Sequence, residues 1–461
     1  MGISLRTRRL SAAALAAVLT VGVLAACEVG QTTDLGVIRA VDPGHGNTPY
    51  YTNRDAGFSA RLTGTNASGQ SVTRDLWTFG DTDAWNANTG AKMQYFKTNT
   101  ASLVPPVTPG SVPAVPPMPV EVAYVNGAPA YFTEFITDGA RPACPPPSNK
   151  PANYYYQARW PSSVIRLPDS DARRETAVVF YQDFCVHLPT QADPDLEYLF
   201  KTGGAAQYVW DAHSPDASPH ATTLANALFQ PGTWRDHSWA VNKPGYTYGA
   251  GAYLSDGPSS NQKYLNVLAC GQNSDCTQAR LLVDSTNLSG SLTRIATATN
   301  WSYRTEGASS ANTDDAWQAL PSSGCAPTPY VTCGTLPLPK PVIKASSDPL
   351  TQVSGSPSVA HIGGYLFVAY AVFADDEVAA VRLADSSGVF DPVAGSGLLP
   401  AGKCASGCYA PVIHPELNTS DGKIAFSYVA NAGVTPPGQT PVATMRLGWT
   451  CLETFDTGAP C

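Results

Sequence analysis

Asn53-Arg54-Asp55-Ala56-Gly57-Phe58 and Asp75-Leu76-Trp77-Thr78-Phe79-Gly80-Asp81-Thr82 each carry a carboxylate where a short apolar run begins or ends. Phe58, Ala60 and Leu62 alternate after Asp55; Leu76, Thr78 and Gly80 alternate with Trp77, Phe79 and Asp81. Period-2 alternation predicts two antiparallel strands joined by a polar turn over 63–73. The start of the first strand and the end of the second then share one sheet edge, which brings Asp55 and Asp81 together. Two carboxyl groups at one edge suit glycosidic-bond hydrolysis, where one acts as acid and the other as base or nucleophile. A separation of about 5–5.5 Å goes with retention of configuration and about 6.5–9.5 Å with inversion. Arg54 either keeps a neighbouring carboxylate ionised or pairs with it structurally. Asp81 is either catalytic or a turn residue making an Asx hydrogen bond. Glu416 is a third candidate carboxylate and Glu134 a fourth. His414 alternates with Glu416, so both face the same side, and it reads as structural or sugar-binding rather than as a base. Arg54, Trp77, Tyr248 and His414 are the candidate substrate contacts, although aromatic side chains also fill β-protein cores.

These residues need strands to hold them, and the chain supplies strands almost throughout. Segments 176–186, 377–383, 424–429 and 442–449 read as strands, and 365–373 is apolar on both faces, as a buried central strand is. Seven prolines over 104–119 exclude a central strand and predict an extended loop. Segment 211–244 reads as a long loop. Strand groups recur near 54–103, 158–210, 245–298, 355–400 and 408–450. Meanders set in a row predict an all-β, five-bladed β-propeller. A strand at 35–41 is placed to pair with the C-terminal strands and close the ring. A two-sheet sandwich with long decorations is the alternative. No linker splits 35–461, which is read as one domain.

The N-terminus points out of the cytoplasm. Arg6, Arg8 and Arg9 precede an apolar run over 10–24 that is short for a membrane span and ends in Leu24-Ala25-Ala26-Cys27. That ending resembles a bacterial lipobox, which implies a signal peptide over 1–26, a lipidated Cys27 and a short linker over 27–34; an ordinary signal peptide is the alternative. The chain has 11 cysteines, and setting Cys27 aside leaves an even set. The simplest pairings are Cys270–Cys276, Cys325–Cys333, Cys404–Cys408 and Cys451–Cys461, leaving Cys144–Cys185. Zinc held by Cys404, Cys408 and His414 is the rival reading, and an oxidising compartment favours disulfides. Forty prolines and 39 glycines, with charged residues at only 14%, fit a loop-rich exported β protein. A net charge of −8 argues against a nucleic-acid partner.

Asn53-Arg54-Asp55-x-Gly57, Leu76-Trp77-x-Phe79-Gly80-Asp81-Thr82, Tyr246-x-Tyr248-Gly249, Ser356-Pro357-Ser358-Val359 and Tyr409-Ala410-Pro411-x-Ile413-His414-Pro415-Glu416-Leu417 occur in this order. Together they resemble the actinobacterial five-bladed propeller family that contains endo-D-arabinanases, over roughly 35–450. Ala56 stands where that resemblance leads one to expect glycine. The resemblance implies a glycoside hydrolase without cofactor, with Asp55, Asp81 and Glu416 as candidate catalytic carboxyls. Its polysaccharide would be furanose-rich, most simply D-arabinan, met from a lipid anchor on the outer side of the membrane.

Other chemistries lack their residues. There is no Gly-x-Ser-x-Gly elbow, no His-Glu-x-x-His and no phosphate-binding loop. Gly363-Gly364 is a turn before a strand, and no metal site is predicted. The functional alternative is a non-catalytic surface propeller that binds glycan or protein.

Overall fold

The computed structural model describes residues 33–37, 41–42, 50–86, 92–106, 124–125, 128–129, 134–167, 169, 171–187, 197–234, 248–270, 275–305, 317–328, 331–343, 357–362, 365–372, 377–386, 389–397, 408–418, 423–431 and 443–451. The expectations for the leader, Cys27, Cys404, Cys461 and most of the proline-rich segment fall outside these residues. The protein is nearly all-β. Leu288–Ile295, capped by the Asn287 side chain on the Gly290 N–H, is its α-helix among the described residues. None of the helices there is long and apolar enough to cross a membrane.

Among the described residues, five antiparallel sheets form a series along the chain, each with its innermost strand first: β1 Gly57–Thr65, β2 Tyr156–Leu167, β3 Gly251–Asp256, β4 Ser358–Ile362 and β5 Cys408–Ile413; a separate four-stranded sheet with Tyr50–Arg54 and Thr82–Asn86 at its centre extends the first, and two two-stranded sheets lie outside the series. β1 touches β2, β2 touches β3, β3 touches β4, β4 touches β5, and β5 returns to β1, so the inner strands form a closed ring. A cavity of about 530 Å³ runs among them, lined by all five. The last sheet takes its outer strand from the other end of the chain. Thr33–Val37 pairs with Ala443–Cys451, with Thr33 opposite Trp449 and Val37 opposite Arg446. The expected pairing of an N-terminal strand with the C-terminal strands is present, over Thr33–Val37 rather than 35–41.

Apolar side chains are buried between neighbouring sheets. Leu62, Leu76, Val179 and Trp210 join the first sheet to the second. Phe180, Tyr248, Val267 and Trp301 join the second to the third. Tyr253, Leu268, Val368 and Tyr370 join the third to the fourth, and Phe367, Ala369, Phe426 and Tyr428 join the fourth to the fifth. A sheet covered on both faces loses the clean in–out alternation of a half-exposed one. Hence Ser71–Phe79 is buried at every position from Asp75 to Phe79.

Three of the expected disulfides are present: Cys144–Cys185, Cys270–Cys276 and Cys325–Cys333. Cys408 is also disulfide-bonded, which removes it from the zinc alternative. Two expectations need correction. The turn expected over 63–73 is tighter, because the paired strands run to Thr65 and resume at Ser71. The long loop expected over 211–244 contains Thr222–Phe229, the edge strand of the second sheet, and Thr233–Trp234, paired with Val331–Thr332. Thr222–Phe229 is only partly buried over most of its length and its register slips twice against Glu197–Asp211. An irregular edge strand of this kind leaves a weak period-2 signal.

Candidate active site

Asp55 and Ala56 break what is otherwise one long strand. Tyr50–Arg54 pairs with Thr82–Asn86 on one side of the break, and β1 pairs with Ser71–Phe79 on the other. Gly80 and Asp81 make the matching break in the partner. Two backbone hydrogen bonds tie the corner: Asp55 N–H to the Asp81 carbonyl at 2.8 Å, and Gly80 N–H to the Asp55 carbonyl at 2.7 Å. Local period-2 geometry thus brings the two aspartates together as the sequence predicted.

Their side chains meet different surroundings. Asp81 accepts the Trp160 indole N–H on Oδ1 at 2.7 Å and the Tyr156 hydroxyl on Oδ2 at 2.9 Å. Asp55 has one buried carboxylate oxygen, Oδ1, that meets no hydrogen-bond donor. Burial, then the charge of Asp81, push the Asp55 carboxyl up to about 7, against the Ala56 N–H and the Tyr409 hydroxyl, which favour its charged form. An aromatic wall supplies the dry surroundings. The Trp160 ring lies 5.0 Å from Phe184 and 5.8 Å from Tyr198, and Phe184 lies 5.7 Å from Phe200. Burial, and then the two aspartate charges, raise the Tyr198 hydroxyl. Burial does the same to Tyr409, with Asp55 the next contributor.

The backbone is strained beside both partners of the Asp55–Tyr409 hydrogen bond. Among the described residues, two non-glycine positions have positive φ: Ala56 at 43° and Ala410 at 48°. Ala56 follows Asp55 and Ala410 follows Tyr409, where β5 slips register against Lys423–Asn431. Such conformations cost on the order of 1–3 kcal/mol each and persist where the surrounding structure imposes them.

Glu416 sits elsewhere. Ser59 of β1 hydrogen-bonds both His414 and the Glu416 carboxylate. Ser59 stands in β1 beyond the corner at Asp55 and Ala56, and neither Asp55 nor Glu416 is among the groups that shift the other's carboxyl. His414 Nδ1 lies 3.6 Å from Glu416 Oε1, its Nε2 lies 2.9 Å from Ser427 Oγ, and its ring packs 4.4 Å from that of Trp77. Burial pushes the Glu416 carboxyl up, but His414 and Ser59 together outweigh it and hold the group below its ordinary value. Nearby, Asp75 is fully buried and paired with Arg61 through two bonds of 2.8 and 3.0 Å.

The structure therefore brings Asp55 to Asp81, and Glu416 to His414, but as two separate groups. Glu134 is in neither; it pairs with Arg141. Arg54 is buried, with its guanidinium 4.5 Å from the centre of the Phe79 ring. Trp77 and Tyr248 are each only 1% exposed. The Tyr248 hydroxyl is used on the Pro327 carbonyl at 2.9 Å, and Gly249 after it, at φ 97°, lets the backbone pass 3.2 Å from Phe180 at the position a Cβ would occupy. Sequence reasoning missed Tyr156, Trp160, Tyr198 and Tyr409. The run Tyr154-Tyr155-Tyr156 and the first residue of Tyr409-Ala410-Pro411 were the available signals. Which sheets abut at Asp81 and Asp55 was not written in local patterning.

No protein-family model and no curated protein sequence matches the chain. Among solved structures it is similar to a putative hydrolase from Bacteroides ovatus, at 14% identity and a TM-score of 0.47 over 92% of this chain and 97% of the other. It is also similar to the GH43_1 enzyme from Xanthomonas citri complexed with xylose, at 11% identity and a TM-score of 0.33 over 95% and 92%. A third is the catalytic domain of a Coprinopsis cinerea GH62 α-L-arabinofuranosidase, at 8% identity and a TM-score of 0.29 over 63% and 91%. Similarity at this level transfers no residue role to the chain.

Proposed function

We propose that the protein is a five-bladed β-propeller glycoside hydrolase, with Asp55 as general acid and Asp81 as the carboxylate acting as base or nucleophile. The observation that carries this reading is the unequal treatment of two carboxyls at one strand corner. Two donors on Asp81 favour its charged form, whereas burial raises Asp55 to about 7, so that it keeps its proton up to neutral pH. Environments that push paired titratable groups apart are how acid and base are assigned within one site. Protonated Asp55 donates to the glycosidic oxygen as the carbon–oxygen bond breaks. Asp81 either takes a proton from the attacking water or attacks the anomeric carbon itself. Asp55 regains its proton from solvent, or from the water of the second step.

The same reading gives Glu416 a structural part, since Ser59 and His414 already satisfy it. Trp77 and Tyr248 serve as packing and Arg54 as a stacked cation over Phe79. The sequence motifs quoted above favour a furanose-rich envelope polysaccharide, most simply D-arabinan. The leader favours a protein anchored through Cys27 outside the cytoplasm, and the disulfides suit that compartment. The test incubates the soluble form, made without residues 1–27, with a panel of arabinans and xylans and follows released oligosaccharides. The expected result is cleavage of arabinan by the wild type, slowed roughly 10²–10⁴-fold in Asp55→Asn and in Asp81→Asn. Binding without cleavage by all three would replace the enzyme by a surface glycan-binding propeller.

A further inference from the structure

We propose that Tyr156 and Trp160 are positioning residues that hold Asp81 ionised, and that Tyr409 is a positioning residue for Asp55, aiming its carboxyl and opposing the burial that keeps it protonated. This rests on the acid and base roles proposed above. The pair belongs to the first sheet, but the groups that hold it come from its two neighbours: Tyr156 and Trp160 stand on β2, and Tyr409 stands on β5. The site is thus completed where three sheets meet around the ring.

The chemistry of the donors gives the direction. An indole N–H donates and never accepts, so Trp160 at 2.7 Å engages an unprotonated oxygen of Asp81. The Tyr156 hydroxyl at 2.9 Å occupies the other oxygen. Residues 156 and 160 lie on the same face of β2, two pleat repeats apart, so a single strand spans the carboxylate. Asp55 receives the Tyr409 hydroxyl and the Ala56 N–H, while its Oδ1 meets no donor. Ala410 at φ 48° turns the chain beside Tyr409, and Ala56 at 43° turns it beside Asp55, so both ends of that bond leave strained corners. Among the described residues, Tyr198 from the second sheet also feels both aspartate charges, and Arg54, which precedes Asp55, stacks over Phe79.

The proposal is tested with Tyr156→Phe, Trp160→Phe and Tyr409→Phe, each checked for wild-type melting. Two readouts are needed: the pH dependence of kcat/KM on arabinan, and the titration of aspartate carboxyl ¹³C signals in the free protein, assigned with Asp55→Asn and Asp81→Asn. Tyr156→Phe and Trp160→Phe each remove a donor to ionised Asp81. Its titration and the acid limb of the profile should both move up by about one pH unit. Tyr409→Phe removes the hydroxyl that favours charged Asp55, so the Asp55 signal and the alkaline limb should move up instead. Should Trp160→Phe fold poorly, Tyr156→Phe alone makes the same test. Variants that slow the reaction with both limbs and both titrations at wild-type values would overturn the proposal and leave these residues as packing. Activity that survives Asp55→Asn and Asp81→Asn would overturn the acid and base roles given to this pair instead. The ¹³C titrations would still decide whether the donors hold the pair.

Discussion

Asp55 and Glu416 are both acidic groups reached through β1, yet the fold treats them in opposite ways. At one end of the strand, Asp55 is left with an unmet oxygen, a neighbouring charge and an aromatic wall, and its proton is held up to about 7. Farther along, Glu416 is met by Ser59 and His414 and held ionised below its ordinary value. A satisfied carboxylate stabilises a fold and has little left to give a substrate. A poorly satisfied one costs stability and keeps a proton available at working pH. The difference separates two residues that the sequence had placed in one catalytic set.

The largest expected effect breaks the comparison at the Asp55 end. Asp55→Asn keeps shape and removes the transferable proton, so kcat on arabinan should fall by roughly 10²–10⁴. Glu416→Gln should leave kcat within about threefold, a difference of well under 1 kcal/mol in barrier. Steady-state rates on the two variants decide the matter. A collapse of rate in Glu416→Gln with wild-type melting would return Glu416 to the catalytic set.

Stability should run the other way. Glu416→Gln loses charge-assisted contacts to Ser59 and His414 and should cost about 1–3 kcal/mol at pH 7 by denaturant unfolding. Its lowered carboxyl pKa means that this stabilisation is complete above the unfolded value and is lost as pH falls through the folded one. The cost of Glu416→Gln should therefore shrink in acid. Asp55 has the opposite sign. A carboxyl raised to about 7 in the folded state destabilises it increasingly as pH rises from near 4 to near 7, and by a constant amount above. Asp55→Asn should thus be more stable than the wild type at pH 8, by up to roughly 4 kcal/mol, and equal to it near pH 4. Paired unfolding curves at pH 4 and pH 8 check both signs.

Local pattern made the first of these sites legible and left the second ambiguous. Alternation around Phe58 and Leu76 is enough to set the register that joins Asp55 to Asp81, because a hairpin is a short-range structure. The same rule put His414 and Glu416 on one side; they do meet at Ser59, but through the 3₁₀ turn Pro415–Leu417 rather than a continuing strand. Whether they joined Asp55 depended on how β5 seats against β1, a contact between residues more than 350 positions apart. Trp77 shows the same limit. Its strand is covered on both faces, so an aromatic residue there looks the same in sequence whether it meets sugar or core. Trp160 and Tyr156 reach Asp81 across a sheet boundary, and no spacing within either segment encodes that approach. Thr222–Phe229 was lost to a loop for a different reason, since an edge strand with two register slips has no steady period to detect.

The smallest expected effect concerns the corner that lets Asp55 differ from Glu416 at all. Ala56 holds φ at 43°, a conformation that glycine adopts freely and alanine does not. Its N–H hydrogen-bonds the Asp55 carboxylate, so the strained turn also sets the aim of the acid. Ala56→Gly should release about 1–2 kcal/mol of left-handed strain and return about 0.4–1 kcal/mol through the greater freedom of the unfolded chain. The net expectation is a protein more stable by up to roughly 1.6 kcal/mol, the difference of those two terms. Glycine also loosens the corner, so kcat should fall a few-fold while the position of the alkaline limb stays put, because neither the burial of Asp55 nor its charge partner changes. Denaturant midpoints and a pH–rate profile on the single variant measure both. A destabilised Ala56→Gly protein would mean that the corner is held by its two backbone hydrogen bonds with little strain to release, and that the difference between the two carboxylates lies wholly in their side-chain surroundings.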